Sequence, residues 1–388
     1  MTSNRLSRRD LVSFAAATLV AGCAGRDANA ETPRQAPAVP VKRSVFDSGI
    51  LFDAAGTIGR DDWAPERGEP LNAKDIEEVL SSGMTAINIT VDAGSDPQRP
   101  FETTLATIAV IHREIAAHPE ALFLVRNAAD LRAAKQLKKV GLILSFQVPD
   151  ELGSKLEHFD TFHNLGVRVM QLTYNPRSLL GDGCAEPANA GLSALGRQAI
   201  ERMNARGVVI DLSHCGQRTT AEAIEHSKRP VAITHTGCAA LTDVPRNKRD
   251  DELKRCADKG GVIGIYLMPF FLRRGTQAMA SDVIAHIEHA INVCGEDHVG
   301  IGTDGTLSAI EVTQAYIDNF HKTMDERKKS GIAAPGEDRD IYPFVPDLNT
   351  PRRFQVLGEK LLARKHPESR VRKILGGNFA RLFTEVCG

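Results

Sequence analysis

The sequence predicts an α/β protein built as a (β/α)8, TIM-like barrel. Three observations predict it. Eight short aliphatic runs bounded by turn residues recur along the chain: Ile50–Ala55, Ala86–Val91, Gly141–Gln147, Val167–Tyr174, Val208–His214, Pro230–His235, Gly261–Leu267 and His298–Asp304. Most are nearly continuous in Val, Ile, Leu and Gly, as strands buried on both faces of a parallel sheet are. Helical patterns separate them, and strand–helix alternation repeated eight times is the signature of a barrel. The competing doubly wound sheet predicts a phosphate-binding glycine loop after an early strand, and neither GxGxxG nor GxxxxGK is present.

The helices follow from apolar spacing and end signals. Ala199–Arg206 precedes Gly207, a good C-terminal cap. Ala221–His226 and Asp250–Asp258 carry apolar residues at helical spacing. Asp282–Val293 is the clearest, with Val283, Ile284, Ile287, Ala290 and Ile291 on one face. The tail, Phe354 to Phe383, reads as helical and packs on the barrel. A chain of 388 residues suits one barrel with insertions. A net charge of -1 offers no electrostatic case for nucleic acid or an anionic membrane as partner.

The N-terminus reads as an address. Paired Arg8 and Arg9 precede a modest apolar run ending at Gly22, the pattern of a twin-arginine export signal. That run is shorter than the roughly 20 residues a bilayer span needs. Two cleavage sites stay open: the lipobox Val20-Ala21-Gly22-Cys23, which leaves a lipidated Cys23, and the small-residue site Ala28-Asn29-Ala30. The expected organisation is a signal at 1–30, a proline-rich linker at 31–43 and one barrel domain at 44–388. The expected location is the periplasm, with the membrane met only through a lipid on Cys23. The other six cysteines show no CxxC pairing and read as buried small side chains.

Barrel enzymes place their chemistry at the C-terminal ends of strands. Here those ends read Ala55, Val91-Asp92, Gln147, Tyr174, His214, His235, Leu267-Met268 and Asp304. His214 and His235 end adjacent strands, and neutral imidazole is the commonest metal ligand. Asp304 is either a turn former or a catalytic group, a general base or a third ligand. Arg246, just past the His235 strand and followed by Asn247, is placed to clamp a substrate carboxylate, against an alternative role as a solvated surface charge.

The blocks Arg126-Asn127-Ala128-Ala129-Asp130, Leu172-Thr173-Tyr174-Asn175, Asp211-Leu212-Ser213-His214, Thr234-His235-Thr236, Arg246-Asn247, Gly260-Gly261-Val262-Ile263-Gly264 and Gly376-Gly377-Asn378-Phe379 occur in that order. Together they resemble the membrane (renal-type) dipeptidases, the M19 metallopeptidases, from about Ile50 to Phe383. The resemblance implies a barrel of the metal-dependent hydrolase type. It implies that His214 and His235 hold one zinc ion, that Arg246, Tyr174 and Asn247 contact the substrate, and that Asp304 carries the proton. The family's second zinc rests on a His-x-Asp pair on the first strand and on a bridging glutamate.

Four positions depart from that pattern. Ala55 and Thr57 stand where the His and Asp are expected, Gln147 where the bridging glutamate is expected, and Tyr174 replaces a substrate-contacting histidine. Alanine offers no ligand, threonine a weak neutral one, and glutamine no charge. Two close dications without those anions repel strongly. The expectation is one zinc at most, completed by Asp304, Gln147 or water, and open to none. Cys215 and Cys238 lie near the histidines, but strand alternation turns Cys215 away from the His214 side. Two functions follow: hydrolysis of dipeptides or related small amides, or a repurposed barrel that binds or matures a small peptide-like metabolite. The partner is a small dipeptide-like substrate, and a homodimer stays open.

Overall fold

The structure, a computed structural model, describes Phe46 and residues 49–92 and 99–388. The export signal, Cys23 with its lipobox and the 31–43 linker lie outside the described residues. Among the described residues, no helix is long and apolar enough to cross a membrane.

Ten strands form the sheet: β1 (Phe52–Thr57), β2 (Ala86–Thr90), β3 (Leu122–Leu124), β4 (Val140–Phe146), β5 (Val167–Gln171), β6 (Val209–Asp211), β7 (Ala232–Thr236), β8 (Val262–Ile265), β9 (Val299–Ile301) and β10 (Gly305–Thr306). Their order is β10-β1-β2-β4-β5-β6-β7-β8-β9, with β3 beside β4. β9 and β10 are one stretch of chain interrupted at Gly302–Asp304, so the sheet closes on itself as the expected barrel. Within the interruption, Gly302 N–H donates to Ile265 O (3.2 Å) on one side and Asp304 N–H to Ala55 O (2.6 Å) on the other. β3 runs along the first half of β4, on residues Val140–Leu142, before β5 joins from Leu144 onward.

Six strands end earlier than their apolar runs suggest, while β1 and β7 run one or two residues past theirs. β5 stops three residues before Tyr174 and β6 three before His214. The Asp211 carboxylate explains the second case. It accepts from the backbone N–H and the hydroxyl of Ser213 (3.0 and 2.5 Å), which bends the chain away from the ladder. The expected Ala199–Arg206 helix begins earlier, at Ala194, capped by the Ser193 hydroxyl, and ends at Gly207 with φ 65 as its sequence demands. Asp250–Asp258 is found with the expected bounds.

Phe52, Ala54, Ile143, Val169, Val209, Ala232 and Val262 meet in one cluster with Phe379, Leu382 and Phe383. The helix that carries Phe379 and Phe383 lies against β1, β6, β8 and β9, strands spread around the ring. The Asn378–Cys387 helix therefore plugs one end, with Phe379 stacked on Phe52 at 5.8 Å between centroids. Gly376 permits the approach, since a Cβ there would lie 2.5 Å from Ile50 O and Phe52 N. The other end is roofed by the excursion between β10 and the Arg353–Ala363 helix, which carries the helix Gln314–Lys329. The roof is tied down by Asn175 Nδ2 to Ile332 O (3.1 Å) and Gln277 Nε2 to Phe344 O (2.7 Å).

Candidate active site

The two histidines meet just beyond β6 and inside β7. Their Nε2 atoms lie 3.0 Å apart, and both rings are buried. Neighbouring groups set their tautomers. The Asn175 amide nitrogen donates to Ile332 O, so its Oδ1 faces His214 Nδ1 at 2.7 Å and must accept from it. Thr234 gives its hydroxyl proton to Asp211 Oδ2 (2.5 Å), so the 2.8 Å contact to His235 Nδ1 makes that nitrogen the donor. Both Nε2 lone pairs therefore point at the same place. Metal-binding histidines are oriented this way, the distal N–H held by a fixed acceptor. Burial, with Arg246 adding to it, holds His235 well below the ordinary imidazole pKa, so it is neutral.

Asp304 borders this pair, its Oδ1 3.8 Å from His235 Nε2. It sits in the left-handed region at φ 56, between β9 and β10 rather than at the end of one strand. Burial pushes its carboxyl up to about 6, while Arg246 and the Gln147 amide pull the other way. Gln147 Nε2 donates to Asp304 Oδ1 at 3.5 Å, and the Gln147 backbone N–H is taken by Asp92 Oδ2 at 2.6 Å. Thr57 turns its hydroxyl to Ile58 O (3.4 Å). Ala55 is buried and contributes its carbonyl to the Asp304 N–H. The position expected for a bridging anion thus holds a hydrogen-bond donor aimed at Asp304.

Tyr174 stacks on the His214 ring, centroids 4.1 Å apart at 20°. Its side chain also hydrogen-bonds Arg327, which forms a two-point pair with Glu337 (2.8 and 2.6 Å) from the roof. Arg246 is 1% exposed and lies 5.6 Å from the Tyr266 ring centroid. Its guanidinium donates to Ser213 O (2.6 Å) and His235 O (3.1 Å). Five N–H groups are available on this side chain, so others remain for the cavity it lines. Asn247 stands apart. Its amide donates to Thr242 O and Phe271 O and accepts from Gly237 N–H and the Tyr266 hydroxyl, holding loops together outside the cavity lining. The thiols of Cys215 and Cys238 face Thr173 and the His286 carbonyl, away from the histidine pair. All six described cysteines are free, three of them fully buried.

These groups surround a cavity of about 240 Å³ at the C-terminal ends of the strands, which gathers Thr57, Gln147, Tyr174, His214, Arg246 and Asp304. The model of the membrane dipeptidase family, peptidase family M19, matches residues 69–320. The chain belongs to that family. An amidohydrolase from Pseudomonas aeruginosa is 31% identical, covers 89% of this chain and 98% of its own, and has a TM-score of 0.76. A metallo peptidase from Rhodobacter sphaeroides, solved with a phosphinate mimic of the dipeptide L-Ala-D-Ala, shares the fold at 18% identity and a TM-score of 0.69, over 87% of this chain and all of its own. An uncharacterized dipeptidase of Schizosaccharomyces pombe is 32% identical over 215 residues, 54% of this chain and 52% of its own. The chain therefore spans about half the length of that curated relative.

Metal dependence is general to the M19 family. Among the described residues, no group of three or more His, Cys, Asp or Glu is gathered closely enough to hold an ion. His214 and His235 are a two-donor set of the right chemistry, with Asp304 at its edge. The roof residues Arg327 and Glu337 gave no sequence signal, because a lone Arg on a polar helix reads as a solvated face. Asn175 had one, standing in the Leu172–Asn175 block, and Asp92 directly follows the second apolar run.

Proposed function

We propose that this chain is an exported hydrolase of dipeptides or related small amides, working with at most one metal ion held by His214 and His235. The observation that carries the reading is the tautomer pair. Asn175 and Thr234 fix both Nδ1–H groups, so two Nε2 lone pairs share one focus. The two-metal arrangement does not fit this donor set, since Ala55, Thr57 and Gln147 supply no anion. Bound at the histidines, zinc supplies Lewis acidity toward a carbonyl oxygen. The chain's own groups do the rest. Asp304 Oδ1 takes the proton of the attacking water and returns it to the leaving nitrogen. Gln147 steers that carboxylate. Arg246 anchors a substrate carboxylate, and Tyr174 closes the site beside His214. Twin-arginine export to the periplasm, with a lipid anchor at Cys23 where cleavage occurs at the lipobox, belongs to the same proposal.

A second reading is a barrel that binds or matures a peptide-like metabolite without cleaving it. The Gln147–Asp304 hydrogen bond favours it, because the proton carrier is already partnered by the chain. The metal-to-protein ratio of the purified chain, read with hydrolysis of a dipeptide panel, separates the two. Metal with turnover supports the hydrolase; neither supports the second reading.

A further inference from the structure

The cavity changes character along the barrel axis. Its floor is polar and comes from the strand ends: Asp92, Gln147, His214, Arg246 and Asp304. Its walls are apolar and come from the longer excursions above: Trp63 after β1, Phe270 after β8, and Phe320 and Met324 on the Gln314–Lys329 helix. Five of the 26 residues around the cavity are aromatic, against 5% of the chain, and the chain's single tryptophan is among them. Trp63, Phe270, Phe320 and Met324 are each no more than 6% exposed, and each lines the cavity.

These walls are held in place before any ligand arrives. Trp63 Nε1 donates to Glu69 O at 3.1 Å, leaving only the apolar body of the indole inward. Phe270 meets Phe271 edge-on at 5.2 Å, and Phe320 stacks on Tyr316 at 6.1 Å. The charged wall residues Arg327 and Glu337 are paired with each other and add no net charge. Asp61 is pushed up to about 7 by burial and by Asp62, which blunts its charge at neutral pH. Apolar surface turned to water is unfavourable, and a fixed apolar wall rewards whatever covers it. A volume of about 240 Å³ lies just below the roughly 300 Å³ at which drug-sized clefts begin, which suits a dipeptide-sized molecule.

We infer that the site selects peptide-like substrates bearing one bulky apolar side chain, aromatic or branched aliphatic, with the polar backbone on the floor and that side chain against Trp63, Phe270, Phe320 and Met324. This rests on the hydrolase reading for its substrate class and deepens it.

The test is calorimetric binding of Ala-Ala, Ala-Leu, Ala-Phe and Ala-Glu to the full chain, with hydrolysis of the same four assayed separately. Ala-Phe and Ala-Leu are expected to bind at least about tenfold more tightly than Ala-Ala, with Ala-Glu weakest. Phe320→Ala and Met324→Ala should each shrink the Ala-Phe to Ala-Ala ratio. The wild-type ratio tests the idea even where a variant folds poorly. Equal binding of Ala-Ala and Ala-Phe overturns the selectivity whether or not either is cleaved. Preferential binding of Ala-Phe without cleavage upholds the selectivity and removes hydrolysis from the reading above.

Discussion

His214 and His235 face each other through their Nε2 atoms at 3.0 Å, each ring having its Nδ1–H held by a neighbour. Two facing lone pairs at this distance repel unless a proton or a cation lies between them. The purified chain is expected to carry close to one zinc equivalent, and His214→Ala to lose it. Asn175→Ala, which frees the His214 ring, should weaken zinc binding by about 10- to 100-fold. Chelator competition measures this, and unchanged affinity in Asn175→Ala would show that the ring orientation does not matter.

Gln147 provides a second prediction. Gln147→Glu alone replaces the donor facing Asp304 with a second carboxylate at a 3.5 Å contact. Without divalent metal this change should cost about 1–3 kcal/mol of stability, because a largely buried acceptor, its side chain 24% exposed, loses its partner and gains a like charge. Combining it with Ala55→His and Thr57→Asp should restore stability with metal and raise the metal-to-protein ratio toward two. Thermal unfolding with and without zinc reads the first effect and elemental analysis the second. A stable, metal-indifferent Gln147→Glu protein contradicts the argument.

The Arg327–Glu337 pair ties the roof to Tyr174 and is almost wholly buried, at 6% and 7% side-chain exposure. Glu337→Gln leaves a buried guanidinium without its anion and should destabilise the protein by about 3–5 kcal/mol. Denaturant unfolding measures it. A loss below about 1 kcal/mol, the value of an exposed pair, would mean that water reaches this contact.

Asp53 sets a pH dependence away from the histidines. It is buried and accepts from the Thr303 backbone and hydroxyl, yet burial outweighs these bonds and raises its carboxyl from 3.8 to about 6. The unfolded chain releases this proton near pH 4, while the folded chain holds it to about pH 6. The unfolded state thus binds fewer protons in that window, and stability falls as pH rises through it, by about 3 kcal/mol in all. Asp53→Asn should flatten this part of the curve. Urea unfolding of both proteins at pH 4.5 and 6.5 gives the comparison, and parallel changes would rule out Asp53 as the source.

Most of the architecture was legible because strands covered on both faces leave nearly unbroken aliphatic runs. The site was legible where a polar residue interrupts such a run at its end, as His214, His235, Gln147 and Asp304 do. β3 was not, since three residues carry no period. The end of β9 at Ile301 and the resumption as β10 beyond the eighth run were hidden as well, because Gly302-Thr303-Asp304 reads equally well as strand. Asn247 was assigned to the substrate through its neighbour Arg246. Its amide instead bonds four groups of the surrounding loops, a role that depends on residues distant in sequence. The apolar residues of the Gln314–Lys329 helix could not be told from core positions, because a cavity wall and a core face have the same helical spacing.

The interruption at Gly302–Asp304 makes the closure of the barrel and the delivery of a carboxylate the work of one short segment. Asp304 holds its left-handed backbone while its N–H latches the last strand to the first. Anyone re-engineering this barrel for another chemistry meets a coupled design problem. Asn and Gly tolerate that backbone, whereas a branched residue would oppose it. The repertoire of reactive groups open to this corner is therefore limited by the seam of the cylinder, and new reactivity is easier to graft onto the roof than here.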